Sequence, residues 1–419
     1  MTDHNSIKVL SVCTSDVSGG AARAAYRIHQ GVRTLGVDSR MFVKNKGSQD
    51  PYVHALSEYV PHNPIYNALD WCAAKVKNQI QHYYWNKYPN KDENFKSDLR
   101  GTRIHRALHS WDYDVLHLHW FNQRFLKIED LLKVRKPIVW TLHDTWPLCG
   151  ICHYFNDCPN YMHQCGNCPQ LGSTNPHDLS FQVWHRKAEI YNDLDLHIVT
   201  PSRWLADCAR QSSLLRDRDI RVIPNCLDTD LFIPIPLKNS NDKPIILYGA
   251  VNAAKDVRKG FSSLLNALKI LDSQCFEAQV LVFGANQNEL PLQFTHIDVK
   301  CVGYIHDSSR LTLLYNMADV MVVPSLTENL SCAIMESLSC GTPVVAFNIG
   351  GNSDMIDHML NGYLAKEKDA EDLASGIKWC LNNNVEDVLS KNAREKVLAN
   401  YTPDIVCEQY KSLYESLAL

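Results

Sequence analysis

Residues 318–351 read ADVMVVPSLTENLSCAIMESLSCGTPVVAFNIGG. An apolar, β-branched run to Val323 stops at Pro324, which lacks the backbone N–H that a central strand must donate. A short polar loop holds Glu328, a helix is expected from about Asn329, and a second apolar run follows Gly341-Thr342-Pro343. Strand, helix and strand in succession form the unit of a parallel sheet covered on both faces.

The same alternation extends outward in both directions. IILYGAV at 245–251, QVLVFGA at 279–285, DVKCVGY at 298–304 and TPVVAFN at 342–348 are strand-like, and GFSSLLNALKILDS at 260–273 and SSRLTLLYNMA at 308–318 have helical spacing between them. Upstream, IKVLSVC at 7–13, DVLHLHW at 114–120, PIVWTLH at 137–143 and LHIVTPS at 196–202 make a second series. The polar LKNSNDKP at 237–244 separates the two. Two doubly wound, Rossmann-like α/β domains facing a central cleft are therefore expected. Residues 1–224 form the first, residues 225–400 the second, and 401–419 a C-terminal helix packing back on the first. The chain has 419 residues, enough for two cores of ordinary size.

Open α/β sheets bind ligands beyond the carboxyl ends of their strands. Glu336 lies eight residues after Glu328, which in a helix is ~12 Å of axial rise. Backbone N–H groups of Asn329, Leu330 and Ser331 would then face an anion at a helix N-terminus, with Glu328 and Glu336 reaching to its two ends. Glutamates are usually solvated helix residues, but Glu336 sits between CAIM and SLSC, where an unpaired carboxylate would be costly. Asn225 follows a proline and reads as a turn residue. His117 and His119 alternate in VLHLHW, so strand geometry points them to opposite faces and excludes joint ligation of one metal.

Several classes are disfavoured. A net charge of −4 gives no overall basic field for nucleic acid. The N-terminal MTDHNSIKVLSVC lacks the basic and long apolar regions of a signal peptide, and no window approaches ~20 apolar residues, so a cytoplasmic location is expected. A nicotinamide-dependent dehydrogenase would need G-x-G-x-x-G after the first strand, where the chain has SDVSGGAARAA. Residues 64–88 carry Ile65, Leu69, Cys72, Val76 and Ile80 at helical spacing, read first as packing against their own domain and second as an interfacial helix at the cytoplasmic face of a membrane.

Of fifteen cysteines, five crowd into CGICHYFNDCPNYMHQCGNC at 149–168. Cys149-x2-Cys152 and Cys165-x2-Cys168, twelve residues apart, resemble a four-thiolate zinc knuckle, with Cys158 as a fifth candidate; a structural zinc that orders this loop beside His143 is expected over disulfides in a reducing compartment.

The Glu-x7-Glu pattern after VVPS, VIPNCLDTDLF at 222–232, RKGF at 258–261 and GTPVVAFNIGG at 341–351 together resemble glycosyltransferase family 4, retaining enzymes of the GT-B fold. SGGAARAAYRI at 18–28 and LHDTWPLCG at 142–150 look like its bacterial exopolysaccharide subset. The resemblance implies a nucleotide-sugar donor and a saccharide or lipid-linked acceptor, with no cofactor required. It assigns Lys259 and Arg258 to the donor diphosphate, Glu328 to sugar hydroxyls, Glu336 to the ribose, His143 to the sugar, and Gly19 and Gly20 to a close-approach loop. The subset keeps cysteines matching Cys152, Cys158, Cys165 and Cys168, which makes Cys149 the spare. Two departures stand out: the family's arginine upstream of the lysine is missing from YGAVNAAKDVRKG, and the Pro-Glu that commonly follows GG is replaced by GGNSDMI, leaving Asp354 as a shorter substitute. The alternatives are a GT-B nucleotide-sugar epimerase and a non-catalytic scaffold that binds a partner through its cysteine module.

Overall fold

The computed structural model describes residues 6–59, 86–90, 108, 110–236, 243–250, 252, 255–286, 293–305 and 307–418. The amphipathic stretch 64–88 falls almost wholly outside them, as do Val251, Ala253 and Ala254 of the segment that lacks the family's arginine. The chain divides into two compact units. Unit 1 comprises Met1–Pro201, Leu205–Ile223 and Glu408–Leu419; unit 2 comprises Ser202–Trp204 and Pro224–Cys407.

Among the described residues, unit 1 is built on seven strands: β1 (Lys8–Ser15), β2 (Asp38–Asn45), β3 (Val53–Ala55), β4 (Val115–Leu118), β5 (Ile138–Thr141), β6 (Leu196–Thr200) and β7 (Asp219–Val222). They pair in the order β3-β2-β1-β4-β5-β6-β7, every pair parallel. All four residues of β4 and of β5 are buried, as expected of central strands covered on both faces. Edge strand β7 has no buried residue. Helix Gly20–Thr34 lays Ala22, Ala25, Ile28 and Val32 toward the core, where small alanines permit close approach to the sheet.

Unit 2 repeats the plan with six strands among the described residues, β8 (Ile245–Gly249), β9 (Ala278–Phe283), β10 (Ile297–Gly303), β11 (Val320–Val323), β12 (Val344–Phe347) and β13 (Gly362–Ala365), in the order β10-β9-β8-β11-β12-β13, again all parallel. Alternate residues of the strands feed two separate apolar layers. Leu247, Met321 and Val344 lie in one; Ile246, Val322 and Val345 lie in the other.

Each sheet has one place where strand order reverses, between β1 and β4 in unit 1 and between β8 and β11 in unit 2. Ligands of open α/β sheets bind beyond the carboxyl ends at such switch points. Gly19 and His119 follow β1 and β4, and Lys259 and Glu328 follow β8 and β11. Topology alone places the candidate residues at both switch points.

Candidate active site

In unit 2 the loops after β8 and β11 bring together two side chains that lie 69 residues apart. Lys259 Nζ is 2.8 Å from Glu328 Oε2, and Ser325 Oγ is 3.5 Å from the same oxygen. Both partners are only partly exposed, at 24% and 13% of their side-chain surface, so the pair is shielded from salt better than a surface bridge. The loops are pinned by backbone contacts: Leu326 N–H donates to Arg258 O at 2.7 Å, and Gly351 N–H donates to Asn329 O at 2.9 Å.

Two glycines make this proximity possible. At Gly260, with φ +70°, a Cβ would lie 1.7 Å from Pro324 O; at Gly350, with φ +52°, it would lie 1.8 Å from Glu328 O. Only a residue without Cβ fits either place.

Arg258 is engaged locally, its guanidinium 2.6 Å from Asp256 Oδ2. Asp256 also caps the short turn by accepting from Arg258 N–H at 3.1 Å. Asp354, the shorter stand-in for glutamate, is tied to Arg203: it accepts from the Arg203 backbone N–H at 2.7 Å and from Nε at 2.9 Å. Ser202 Oγ donates to Asn329 Oδ1 at 2.7 Å. These bonds hold Ser202–Trp204 within unit 2.

The helix after β11 begins at Cys332, with Ser331 as its cap, three residues later than expected. Asn329 and Leu330 thus belong to the loop, and Glu328 and Glu336 do not share one helix. The reason is tertiary: Gly350 and Gly351, from the loop after β12, dock against the carbonyls of Glu328 and Asn329 and keep that segment out of the helix. Glu336 lies in the second turn, 2% exposed, and accepts from Tyr315 Oη at 3.2 Å. Burial pushes the Tyr315 phenol well up, so it remains a hydrogen-bond donor. Tyr315 carried no signal in the sequence, since an apolar-face tyrosine reads as core.

In unit 1 the site is built on neutral imidazoles, with the Asp144 carboxylate beside His143 tied to His153 and Trp120. His143, two residues beyond β5, places Nε2 3.1 Å from His119 Nδ1. Burial lowers the His143 pKa to about 4 and that of His119 well below the usual value, so both rings are neutral near pH 7. Behind them His117 Nε2 is 2.8 Å from Thr141 Oγ1 and His117 Nδ1 is 2.7 Å from Tyr414 Oη. The rings of His117 and His119 lie 4.0 Å apart, centroid to centroid, contrary to the opposite faces expected from alternation. β4 ends at Leu118, so His119 no longer obeys the strand period. Gly19, φ +95°, caps the helix that Gly20 begins, and a Cβ on Gly19 would meet nothing within 4 Å. Asn225 lies outside any turn, 6% exposed, and its Oδ1 has no hydrogen-bond partner among the described residues.

The cysteine loop is the clearest departure. Cys149, Cys152, Cys165 and Cys168 are buried and Cys158 is half-buried, all as free thiols. Among the described residues no group of three or more His, Cys, Asp or Glu side chains is arranged to hold a metal ion, so the zinc expectation finds no support. Protein groups satisfy the thiols instead. Cys149 Sγ donates to Thr145 O and Cys152 O, both at 3.3 Å, and Gly150 N–H donates to Cys165 Sγ at 3.2 Å. The loop is ordered by buried Lys187, whose Nζ donates to the carbonyls of Trp146, Cys149 and Gly150 at 2.5, 2.7 and 2.8 Å. Asp178 accepts from Cys168 N–H at 2.8 Å, and Asp144 lies 2.5 Å from His153 Nδ1. Lys187 and Asp178 lie outside the 149–168 window and so were missed.

Two parallel α/β units, each with candidate residues in loops at its strand switch point, have the makeup of the GT-B fold. Residues 18–231 match the family Glycosyltransferase Family 4, and residues 231–396 match Glycosyl transferases group 1. The chain belongs to glycosyltransferase family 4 and is a glycosyltransferase, of the retaining kind general to that family. It is similar over nearly its whole length to WcaC of Escherichia coli K12, a glycosyl transferase named for colanic acid biosynthesis: 23% identical, covering 95% of this chain and 97% of that one. It is 28% identical to the N,N'-diacetylbacillosaminyl-diphospho-undecaprenol alpha-1,3-N-acetylgalactosaminyltransferase of Campylobacter jejuni, over 42% of this chain and 46% of that one. Among solved structures, Anabaena HepE in complex with UDP and glucose superposes with a TM-score of 0.64 at 17% identity, covering 98% of this chain and 100% of that one. None of these comparisons favours the epimerase or scaffold readings.

Proposed function

We propose that the protein transfers a sugar from a nucleoside-diphosphate sugar to a hydroxyl of a saccharide or lipid-linked saccharide, with retention, in the synthesis of a cell-surface polysaccharide. The observation that carries this reading is the Lys259–Glu328 pair at the unit 2 switch point. A nucleoside diphosphate leaving group develops negative charge as the glycosidic bond breaks, and a fixed cation stabilises it most where water is scarce. In the donor complex Lys259 turns from Glu328 to the diphosphate. That frees the Glu328 carboxylate to accept from sugar hydroxyls, while Glu336, steadied by Tyr315, accepts from the ribose. Arg258 adds positive potential beside Lys259, and backbone N–H groups of Asn329, Leu330 and Ser331 line the loop approaching the helix. His143 hydrogen-bonds the sugar, and the Gly19-Gly20 turn leaves room for it.

Two relatives support the acceptor class. One is named for an exopolysaccharide and another for a diphospho-undecaprenol substrate, which supports a lipid-linked acceptor at the cytoplasmic face of a membrane. No described helix is long and apolar enough to cross a membrane. Donor binding by Lys259 leaves no step that requires a divalent cation.

The test is transfer from a panel of UDP-, GDP- and ADP-sugars. Lys259→Ala and Glu336→Ala each lower turnover by ~10²–10³-fold with unchanged circular dichroism, the scale for removing one preorganised stabilising group. Wild-type turnover persists in EDTA. Near-normal transfer by either folded variant, or isomerised nucleotide-sugar formed without acceptor, contradicts the reading.

A further inference from the structure

The neutral histidines of unit 1 carry an inference that rests on the reading of His143 as a sugar contact. His119 is held from both sides by backbone bonds: its N–H donates to Val12 O at 2.9 Å, and its carbonyl accepts from Trp140 Nε1 at 3.2 Å. Its side chain is 1% exposed. One ring nitrogen, Nδ1, meets His143 Nε2 at 3.1 Å; the other, Nε2, is buried with no hydrogen-bond partner among the described residues. The His119 ring packs on His117, which Thr141 and Tyr414 fix at both of its nitrogens. Thr141 is in turn 3.0 Å from Tyr410 Oη. His119 therefore has little freedom to rotate.

A hydrogen bond between two neutral imidazoles contains one proton, and the unpartnered nitrogen decides where it sits. If His143 Nε2–H were the donor, His119 would carry its own proton on Nε2, a buried N–H without an acceptor. If His119 Nδ1–H is the donor, Nε2 is a bare lone pair, and the buried N–H is used. Unsatisfied buried N–H groups are the rarer defect in folded proteins. Burial disfavours a charged ring at either position, which removes the doubly protonated alternative.

We propose that His119 is a positioning residue for sugar transfer: its Nδ1–H donates to His143 Nε2, which fixes the ring of His143 and places the His143 proton on Nδ1. A sugar hydroxyl meeting His143 then finds one tautomer rather than a mixture, and binding loses nothing to selecting between them. The residue itself touches no substrate.

Two readouts test this on the full-length protein. In protein labelled with ¹⁵N-histidine, long-range proton–nitrogen correlation without substrate shows His143, assigned through His143→Gln, protonated on Nδ1. A wild-type His143 protonated on Nε2 overturns the assignment. In transfer assays, His119→Asn keeps an N–H near the Nδ1 position and retains most of the turnover, whereas His119→Leu raises the donor KM or lowers kcat by roughly tenfold, the cost of about one hydrogen bond to a neutral group. Wild-type kinetics in a folded His119→Leu protein, or equal losses in the Asn and Leu variants, overturn the positioning role. Normal transfer by His143→Gln removes instead the sugar contact on which the proposal rests, whichever tautomer the spectra show.

Discussion

The two switch points of this molecule are solved with opposite chemistry. Beyond β8 and β11 in unit 2 lies a charged pair, Lys259 and Glu328, held close by glycines that admit no side chain. In unit 1 three neutral imidazoles cluster at the ends of β4 and β5: His117 in β4 packs on His119, and His119 is hydrogen-bonded to His143. A diphosphate needs a fixed cation, because its charge must be neutralised as the glycosidic bond breaks. A sugar hydroxyl needs orientation rather than charge, and a buried neutral ring supplies it without the desolvation cost of an ion. Similar sheets thus present different recognition because the side chains at their carboxyl ends differ.

The glycines of the two units sharpen this contrast. Gly350→Ala forces a Cβ against Glu328 O in a left-handed backbone and destabilises unit 2 by more than about 2 kcal/mol, combining αL strain with a backbone clash. Gly19→Ala meets nothing within 4 Å and costs only the strain of its backbone, φ +95° and ψ 167°, about 1–2 kcal/mol with no clash added. Urea denaturation of both variants checks the ranking, and equal losses would mean that the unit 2 loops yield where they are described as tight.

A smaller effect separates the units by pH. The folded pKa of His143 is about 4 and that of His117 about 3, both lowered by burial from the model-peptide value near 6.5. Between those limits the unfolded chain binds more protons than the folded one. Stability is therefore complete above the unfolded value and is lost as pH falls from 6.5 toward 4, at up to about 1.4 kcal/mol per pH unit for each histidine. Once the fall of the intrinsic exchange rate with pH is divided out, hydrogen-exchange protection between pH 7 and 5 drops in β4 and β5 before β8 and β11. Simultaneous loss in both sheets would show that the imidazoles are not the weak point in acid.

Much of this architecture is legible from residue patterns because parallel strands must be apolar on both faces. DVLHLHW gives β4 and PIVWTLH gives β5 to within a few residues, and ADVMVVPS gives β11. Glu328, Glu336 and Lys259 are legible as types, since carboxylates and lysines in apolar or glycine-flanked settings are unusual. Their pairing is not, because the Lys259–Glu328 contact joins loops whose approach depends on Gly260 and Gly350, and spacing along the chain does not report it. The helix start is misread at Asn329 for the same reason: tertiary contacts to Gly350 and Gly351 override local propensity. Cysteine spacing says least about what orders its loop: the Cys-x2-Cys repeats suggest a metal for which the described residues give no support, and the Lys187 and Asp178 contacts come from the segment that follows.

In the proposed donor complex Lys259 is shared between Glu328 and the donor diphosphate. Calorimetric titration of UDP, GDP and ADP into wild type, Lys259→Ala and Glu328→Gln tests it directly, with the tightest of the three nucleotides as probe. Removing Lys259 weakens binding by roughly tenfold, the scale of a hydrogen bond to a charged group. Replacing Glu328 with glutamine frees the lysine from its competitor and tightens nucleotide binding several-fold, even as sugar transfer falls. Opposite signs for the two variants are the predicted result; a loss of affinity in both, or no change in Lys259→Ala, would contradict the claim.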